Sequence, residues 1–85
     1  MLFREYPILV AANNKEYRVL LCGDPEERCD GTWEGWIEFH PLRGGRVLRR
    51  REPSHPSRAA FLDWAFELEL EYLESVLAEL SRRST

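Results

Sequence analysis

The last third of the chain carries an apolar pattern that is wider than a helix on a small sheet requires. On a helical projection of about 100° per residue, the apolar residues of 58–82 span an arc of roughly 200°. A helix that packs on a single surface needs only about 100°. The pattern therefore predicts a long C-terminal helix with more apolar surface than its own domain covers.

The ends of this helix are marked by residues that suit them. Ser57 precedes the apolar pattern and can cap the first turn, although Ser54 is an alternative cap. Arg82 and Arg83 stand where cations favour the C-terminal end of a helix. The prediction is a helix over about 58–82, roughly 37 Å long, whereas short strands make a sheet only about 15–20 Å across.

The chain before this helix shows the alternation of strands. Residues 33–39 place Trp33, Gly35, Ile37 and Phe39 on one side and the intervening residues on the other. Asparagines at 13–14 and glycines at 44–45 provide the turns that such strands need. The predicted strands cover about 6–12, 16–22, 33–39 and 46–51.

These elements predict an α+β fold in which an antiparallel sheet of three or four strands packs on one long C-terminal helix (ββββα). The chain has 85 residues, which is enough for one domain over residues 1–85 and too few for two hydrophobic cores. A chain this short buries a limited share of its surface. We therefore expect the surplus apolar face of the helix to be covered by a second subunit, or by the first strand and the loop at 23–32.

Charge is distributed unevenly along the sequence. The net charge of −3 combines −4 over residues 1–42, +5 over 43–58 and −4 over 59–85. Arginine suits bidentate contacts with carboxylates and phosphates, and all six basic residues of the central block are arginines. The acidic flanks favour neutralisation within the protein or across a dimer, with phosphate binding as the alternative. The basic patch consists of Arg46, Arg49, Arg50 and Arg51.

Two tryptophans fall on faces that otherwise look polar, and they are candidates for partner contact. Trp36 shares a strand face with two glutamates, and Trp64 falls on the polar arc of the predicted helix. The acidic stripe at Asp63, Glu67, Glu71 and Glu74 is either a solvated helix face or a docking surface for a basic partner. Glu69 falls inside the apolar arc, so we expect it to pair with an arginine or to meet water. The predicted partner-binding residues are Trp36, Trp64, Glu67 and Glu71.

The sequence carries no signature of catalysis, cofactor binding or membrane insertion. Phosphate-binding glycine loops and nucleophile elbows are missing, so we expect a non-enzymatic protein without a cofactor. Cys22, Cys29, His40 and His55 lack the short spacing of zinc sites. Without an export signal or a long apolar run, we expect a cytoplasmic location with reduced cysteines.

Three stretches give the chain a family resemblance. They are W-E-G-W-I-E-F at 33–39, E-P-S-H-P at 52–56, and the W-A and Y-L-E pairs of the helix at 64–65 and 72–74. With these it resembles a family of short bacterial proteins of unknown function over roughly residues 17–80. That family carries threonine and glutamine where Pro53 and His55 stand here. The resemblance implies no activity.

A looser resemblance in layout is to antitoxins of the HicB type, in which three strands precede a helix. Proteins of that type bind a small toxin and often DNA. Two functional hypotheses follow. The first is a small protein-binding module that forms a homodimer through its helix. The second is a nucleic-acid-associated or antitoxin-like regulator that uses the basic strand at 46–51.

Overall fold

The computed structural model describes residues 2–24, 32–52 and 54–83. Four antiparallel strands form one sheet in the order β1-β2-β3-β4, and two helices follow. The predicted α+β layout is confirmed. The elements are β1 (Leu2–Val10), β2 (Glu16–Gly23), β3 (Gly35–Pro41), β4 (Leu48–Arg51), α1 (Arg58–Glu67) and α2 (Leu70–Arg83).

The first strand is longer than the sequence pattern predicted, because it begins at Leu2 rather than near residue 6. Pro7 lies within the strand, where the pairing with β2 is irregular between Tyr6 and Leu9. Proline is tolerated there because β1 is an edge strand and one side of its backbone has no strand to bond. The turn to β2 is built as predicted, with Asn14 at a positive φ of 66°.

The third and fourth strands begin later than predicted. Trp33 does not belong to β3 but pairs with His55, and the two backbones exchange hydrogen bonds of 2.9 Å in both directions. β4 starts at Leu48 instead of residue 46, because the preceding turn extends further than the glycines alone. Those glycines, Gly44 and Gly45, both take positive φ values, as the turn requires. The loop predicted at 23–32 falls mainly on residues 25–31, outside the described residues.

The prediction of one uninterrupted helix over 58–82 is wrong in one respect: the helix is broken. Leu68 is extended, with φ −63° and ψ 125°, and α2 starts two residues later. The backbone carbonyl of Glu69 accepts the first hydrogen bonds of α2 from the N–H groups of Tyr72 and Leu73. Leucine and glutamate favour helix, so no local signal predicts this break. Tertiary packing imposes it, because Leu68 turns toward the core.

The core lies between the sheet and α2. Residues facing the helices from the two central strands, such as Val19, Leu21, Ile37 and Phe39, are fully buried. From α2, Leu73, Val76 and Leu77 complete this core.

The helix α1 covers one end of the sheet with an aromatic cluster, and Ser57 caps it as predicted by accepting the N–H of Ala60. Phe61 is fully buried and stacks edge-on or tilted against Phe3, Trp33, His55 and Trp64. Gly35 leaves room for this ring, since a Cβ there would stand 2.3 Å from Phe61 Cε2. None of the described helices is both long and apolar enough to cross a membrane.

Candidate functional site

Neither of the two described helices lies over the second face of the sheet. Alternation along the strands sends Arg18, Leu20 and Cys22 of β2 to this side, opposite Trp36 and the other outward residues of β3. Both helices pack on the opposite side, where the buried residues lie. We call this surface the open face; it is formed by Arg18, Leu20, Cys22, Trp36, Glu38, His40, Arg49 and Arg51.

Trp36 lies on the open face as the second residue of β3, and two neighbouring side chains hold it. Its indole N–H donates a hydrogen bond of 2.7 Å to Glu38 Oε2. The guanidinium carbon of Arg49 lies 4.3 Å from the centroid of the Trp36 ring, within the range of a cation–π interaction. The ring is half-buried, so part of it contacts solvent. The side chain is therefore fixed in orientation before any partner arrives.

Glu38 links this tryptophan to a histidine. Its second oxygen, Oε1, lies 2.8 Å from Nε2 of His40. Hydrogen bonds from His40 and then from Trp36 lower the pKa of the Glu38 carboxyl, although partial burial opposes the shift. Glu38 is consequently an anion at neutral pH and an acceptor for both neighbours.

Two ion pairs involve arginines of the same face. Arg18 NH2 lies 2.6 Å from Glu5 Oε1, and Arg51 NH2 lies 3.2 Å from Glu34 Oε2. Both arginines are exposed, so these pairs contribute little to stability. Acidic and basic groups alternate across the open face, and no single sign of charge dominates it.

Cys22 lies beside Trp36 on the open face, as its register partner on β2. The thiol is buried, and burial raises its pKa, with a smaller contribution from the charge of Glu38. A raised pKa keeps the thiol protonated and unreactive. Cys29, the other cysteine of the predicted set, lies outside the described residues.

The basic patch predicted at Arg46, Arg49, Arg50 and Arg51 does not form one surface. Arg49 and Arg51 belong to the open face, while Arg50 points to the helix side and bonds Glu79 at 2.6 Å. The hydrogen bond between them raises the pKa of Arg50 and lowers that of Glu79. Arg46 is exposed in the turn before β4. Strand alternation separates neighbours in sequence, so the patch is divided between two faces.

The predicted partner residues are divided in the same way. Trp36 lies on the open face, whereas Trp64 and Glu67 lie on the helix side, next to the break between the helices. Trp64 is not the exposed residue that the helical projection indicated, because its ring is partly buried, 4.9 Å from that of His55. The helix-junction cavity there has a volume of about 490 Å³. Its lining residues are Glu52, Trp64, Glu67, Leu68, Glu69 and Tyr72.

Sequence reasoning missed the buried carboxylate in this cavity. Glu52 is only 5% exposed, and the Tyr72 hydroxyl donates toward both of its oxygens, at 2.8 and 2.9 Å. Burial, followed by the hydrogen bond and charge of Glu52, raises the pKa of Tyr72 to about 12. In the sequence, Glu52 is the lone acid of an arginine-rich segment, which only weakly indicates that its carboxylate is buried.

The remaining acidic residues of the helical region face solvent. Glu71 and Glu74 are exposed on α2, and Asp63 is exposed on α1. Glu69 is exposed too, because the helix break removes it from the apolar arc in which a continuous helix would have placed it. Within residues 2–24, 32–52 and 54–83, no group of three or more His, Cys, Asp or Glu side chains is arranged to hold a metal ion.

Comparisons with known proteins give no further guide. No protein-family model, no curated protein and no solved structure matches this chain.

Proposed function

We propose that this protein is a non-enzymatic, protein-binding module of the bacterial cytoplasm. It docks a partner on the open face through Trp36 and associates with a second copy through its helical region. The observation that carries the proposal is the placement of Trp36, an aromatic side chain held in position on a sheet face that the described helices, α1 and α2, leave open. Tryptophan is among the residues that contribute most to binding energy at protein interfaces.

The surroundings of Trp36 favour a protein partner. Glu38 and Arg49 hold the ring, so little side-chain freedom is lost on binding. The alternating charges of the open face, in the pairs Arg18–Glu5 and Arg51–Glu34, match the polar rim that encloses the centre of an interface. A partner with a shallow apolar pocket and a mixed-charge rim fits this surface.

Self-association is supported by apolar side chains that the fold leaves uncovered. Phe66 at the end of α1 is 78% exposed, and Leu70 at the start of α2 is exposed as well. Large apolar side chains grouped in this way mark contact surfaces. They lie on the helix side, away from Trp36, so both contacts can be made at once.

The resemblance to short bacterial proteins of unknown function is part of this proposal. Trp33, Gly35, Ile37 and Phe39 of the W-E-G-W-I-E-F stretch face the covered side, while Trp36 faces outward. Most of the shared pattern thus builds the core. Trp36 with its two flanking glutamates is the portion available to a partner.

Site-specific photo-cross-linking in the producing cells tests the partner surface. Arg18, on the open face, is replaced by benzoylphenylalanine, and Phe66, on the helix side, is replaced in a second strain. We expect a discrete adduct with another protein from position 18. The adduct should be lost when Trp36→Ala is added, and it should be retained with Trp36→Phe, which keeps the aromatic plane.

The matched control for this experiment is Arg46→Ala, an exposed substitution in the turn before β4. It should leave the adduct from position 18 unchanged. An adduct that persists in Trp36→Ala, or one that forms only from position 66, would contradict the proposed docking surface.

A second candidate, nucleic-acid binding, is favoured by one observation. Trp36 lies between Arg49, which stacks on it, and Arg51, its register partner on β4. An aromatic ring flanked by arginines can stack on a base of a single strand. Glu34 and Glu38 oppose this function because they neutralise the same positions.

Fluorescence anisotropy with a labelled single-stranded DNA oligonucleotide distinguishes the two functions. We expect equally weak signals from the wild type and from a variant with Arg46, Arg49 and Arg51 changed to alanine. Arg50 is left in place because it bonds Glu79 on the other face. Binding that falls steeply with salt and disappears in the variant would favour the nucleic-acid function instead.

A further inference from the structure

A groove runs between the end of β1 and one flank of α2. It has a volume of about 520 Å³, and its walls are mainly apolar. Val10, on the strand side, is 60% exposed, and Leu77 with Ala78 forms the helix side. The residues lining the groove are Val10, Ala11, Ala12, Asn13, Glu74, Leu77, Ala78, Ser81 and Arg82.

Two opposite charges are placed symmetrically about Ala78 along this groove. Glu74 and Arg82 stand four residues before and four residues after Ala78, and all three line the groove. Because an α-helix has about 3.6 residues per turn, these positions share one side of α2. Ala78, in the middle, is small enough to let another helix approach closely.

An antiparallel copy of α2 complements this arrangement. If two helices cross at Ala78 around a two-fold axis, Glu74 of each copy lies opposite Arg82 of the other. A parallel pair would set Glu74 against Glu74 and Arg82 against Arg82. Two-fold interfaces present the same patch from both subunits, so a single surface has to be complementary to itself.

We propose that a second copy of this chain occupies the groove, with its α2 antiparallel to the first and crossing at Ala78. This inference rests on the self-association in the proposed function and specifies its surface and orientation. Leu70 lies two turns before Leu77 on the same flank of α2, so it extends the apolar contact beyond the groove.

Charge reversal at the two positions tests the orientation by sedimentation equilibrium. Glu74→Arg alone and Arg82→Glu alone each set like charges opposite one another twice. Each should weaken dimer formation by about tenfold. The double variant Glu74→Arg/Arg82→Glu should dimerise as the wild type does. An equimolar mixture of the two single variants should form a heterodimer, because both contacts then join opposite charges.

The control is Asp63→Arg, which reverses a charge on an exposed position of α1, away from the groove. It should leave dimer formation unchanged, and circular dichroism verifies that every variant is folded. A wild type that stays monomeric across the concentration range would overturn the inference. So would a dimer in which neither the double variant nor the mixture restores association.

These failures are distinguishable from a failure of the partner surface. Cross-linking from position 18 depends on Trp36 and involves none of the groove residues. A monomer that still gives the Trp36-dependent adduct would remove the dimer and keep the partner surface. A dimer without the adduct would remove the partner surface and keep the dimer.

Discussion

The two faces of the sheet are made by alternate residues of the same strands, and they have different chemistry. On the covered face, Val19, Leu21, Ile37 and Phe39 are fully buried against the helices. On the open face, Trp36 is bonded to Glu38 and stacked by Arg49, with ion pairs around it. The comparison indicates that the covered face maintains the fold, whereas the open face is the surface on which we propose that a partner docks.

The largest effect should come from truncating the aromatic cluster of the covered side. Phe61→Ala removes a fully buried ring, and we expect it to lower the free energy of unfolding by about 3–5 kcal/mol. The matched control is Asp63→Ala, an exposed position on the same helix, which should change the free energy of unfolding by no more than about 0.5 kcal/mol. Urea denaturation followed by circular dichroism measures both. Similar losses of unfolding free energy in the two variants would contradict the view that the covered side maintains the fold.

A smaller effect should follow from the loss of one hydroxyl on the helix side. Tyr72→Phe leaves the buried carboxylate of Glu52 without its donor, and we expect a loss of about 1–3 kcal/mol in the free energy of unfolding. The same urea measurement at neutral pH determines this loss. Replacing both partners, in Tyr72→Phe/Glu52→Leu, should cost less than the single change. A double variant less stable than Tyr72→Phe alone would argue against a paired role.

The same pair makes stability depend on alkaline pH. The folded state raises the pKa of Tyr72 from 10.0 to about 12, so it holds the hydroxyl proton more tightly than the unfolded chain does. The resulting stabilisation is fully present below about pH 10 and is lost as the pH rises toward about 12. Burial also raises the pKa of Tyr6, so tyrosinate absorbance should show a late-titrating component that Tyr72→Phe diminishes and does not abolish. A titration in which all tyrosines ionise near pH 10 would contradict this.

The smallest effect should be on the open face. Arg49→Ala removes the cation from the Trp36 ring, and we expect it to lower the free energy of unfolding by no more than about 1 kcal/mol. Urea denaturation followed by fluorescence measures this change in the free energy of unfolding. Arg51→Ala serves as a comparison on the same face. If Arg49→Ala lowers the free energy of unfolding as much as Tyr72→Phe does, the open face stabilises the fold, and the distinction between the two faces is wrong.

The strands could be predicted from the sequence because their signal is local. Alternation in 33–39 identifies which side chains are buried, and the prediction that Ile37 and Phe39 share a covered face is confirmed. The break at Leu68 could not be predicted, because the residues around it favour helix and the cause lies in packing against distant strands. Trp64 was wrongly predicted to be exposed for the same reason, since a helical projection does not include the contact with the distant ring of His55.

The candidate site was predictable only in part. Trp36 was found from its polar strand neighbours, whereas the division of the arginines between two faces required strand register. Glu52 was missed because its hydrogen-bond partner in the fold, Tyr72, is 20 residues away in the chain. Contacts between distant segments leave little trace in local composition.

By itself, the sequence determined the class of fold, the order of the strands along the chain, the turn positions and the N-cap at Ser57. Periodicity, glycine and capping residues act over a few neighbours, so each can be read from a short window. The tertiary structure alone decided where the helix breaks, which arginines share a surface with Trp36 and which carboxylate is buried. Those outcomes depend on which distant side chains compete for the same core, and only the folded chain brings them together.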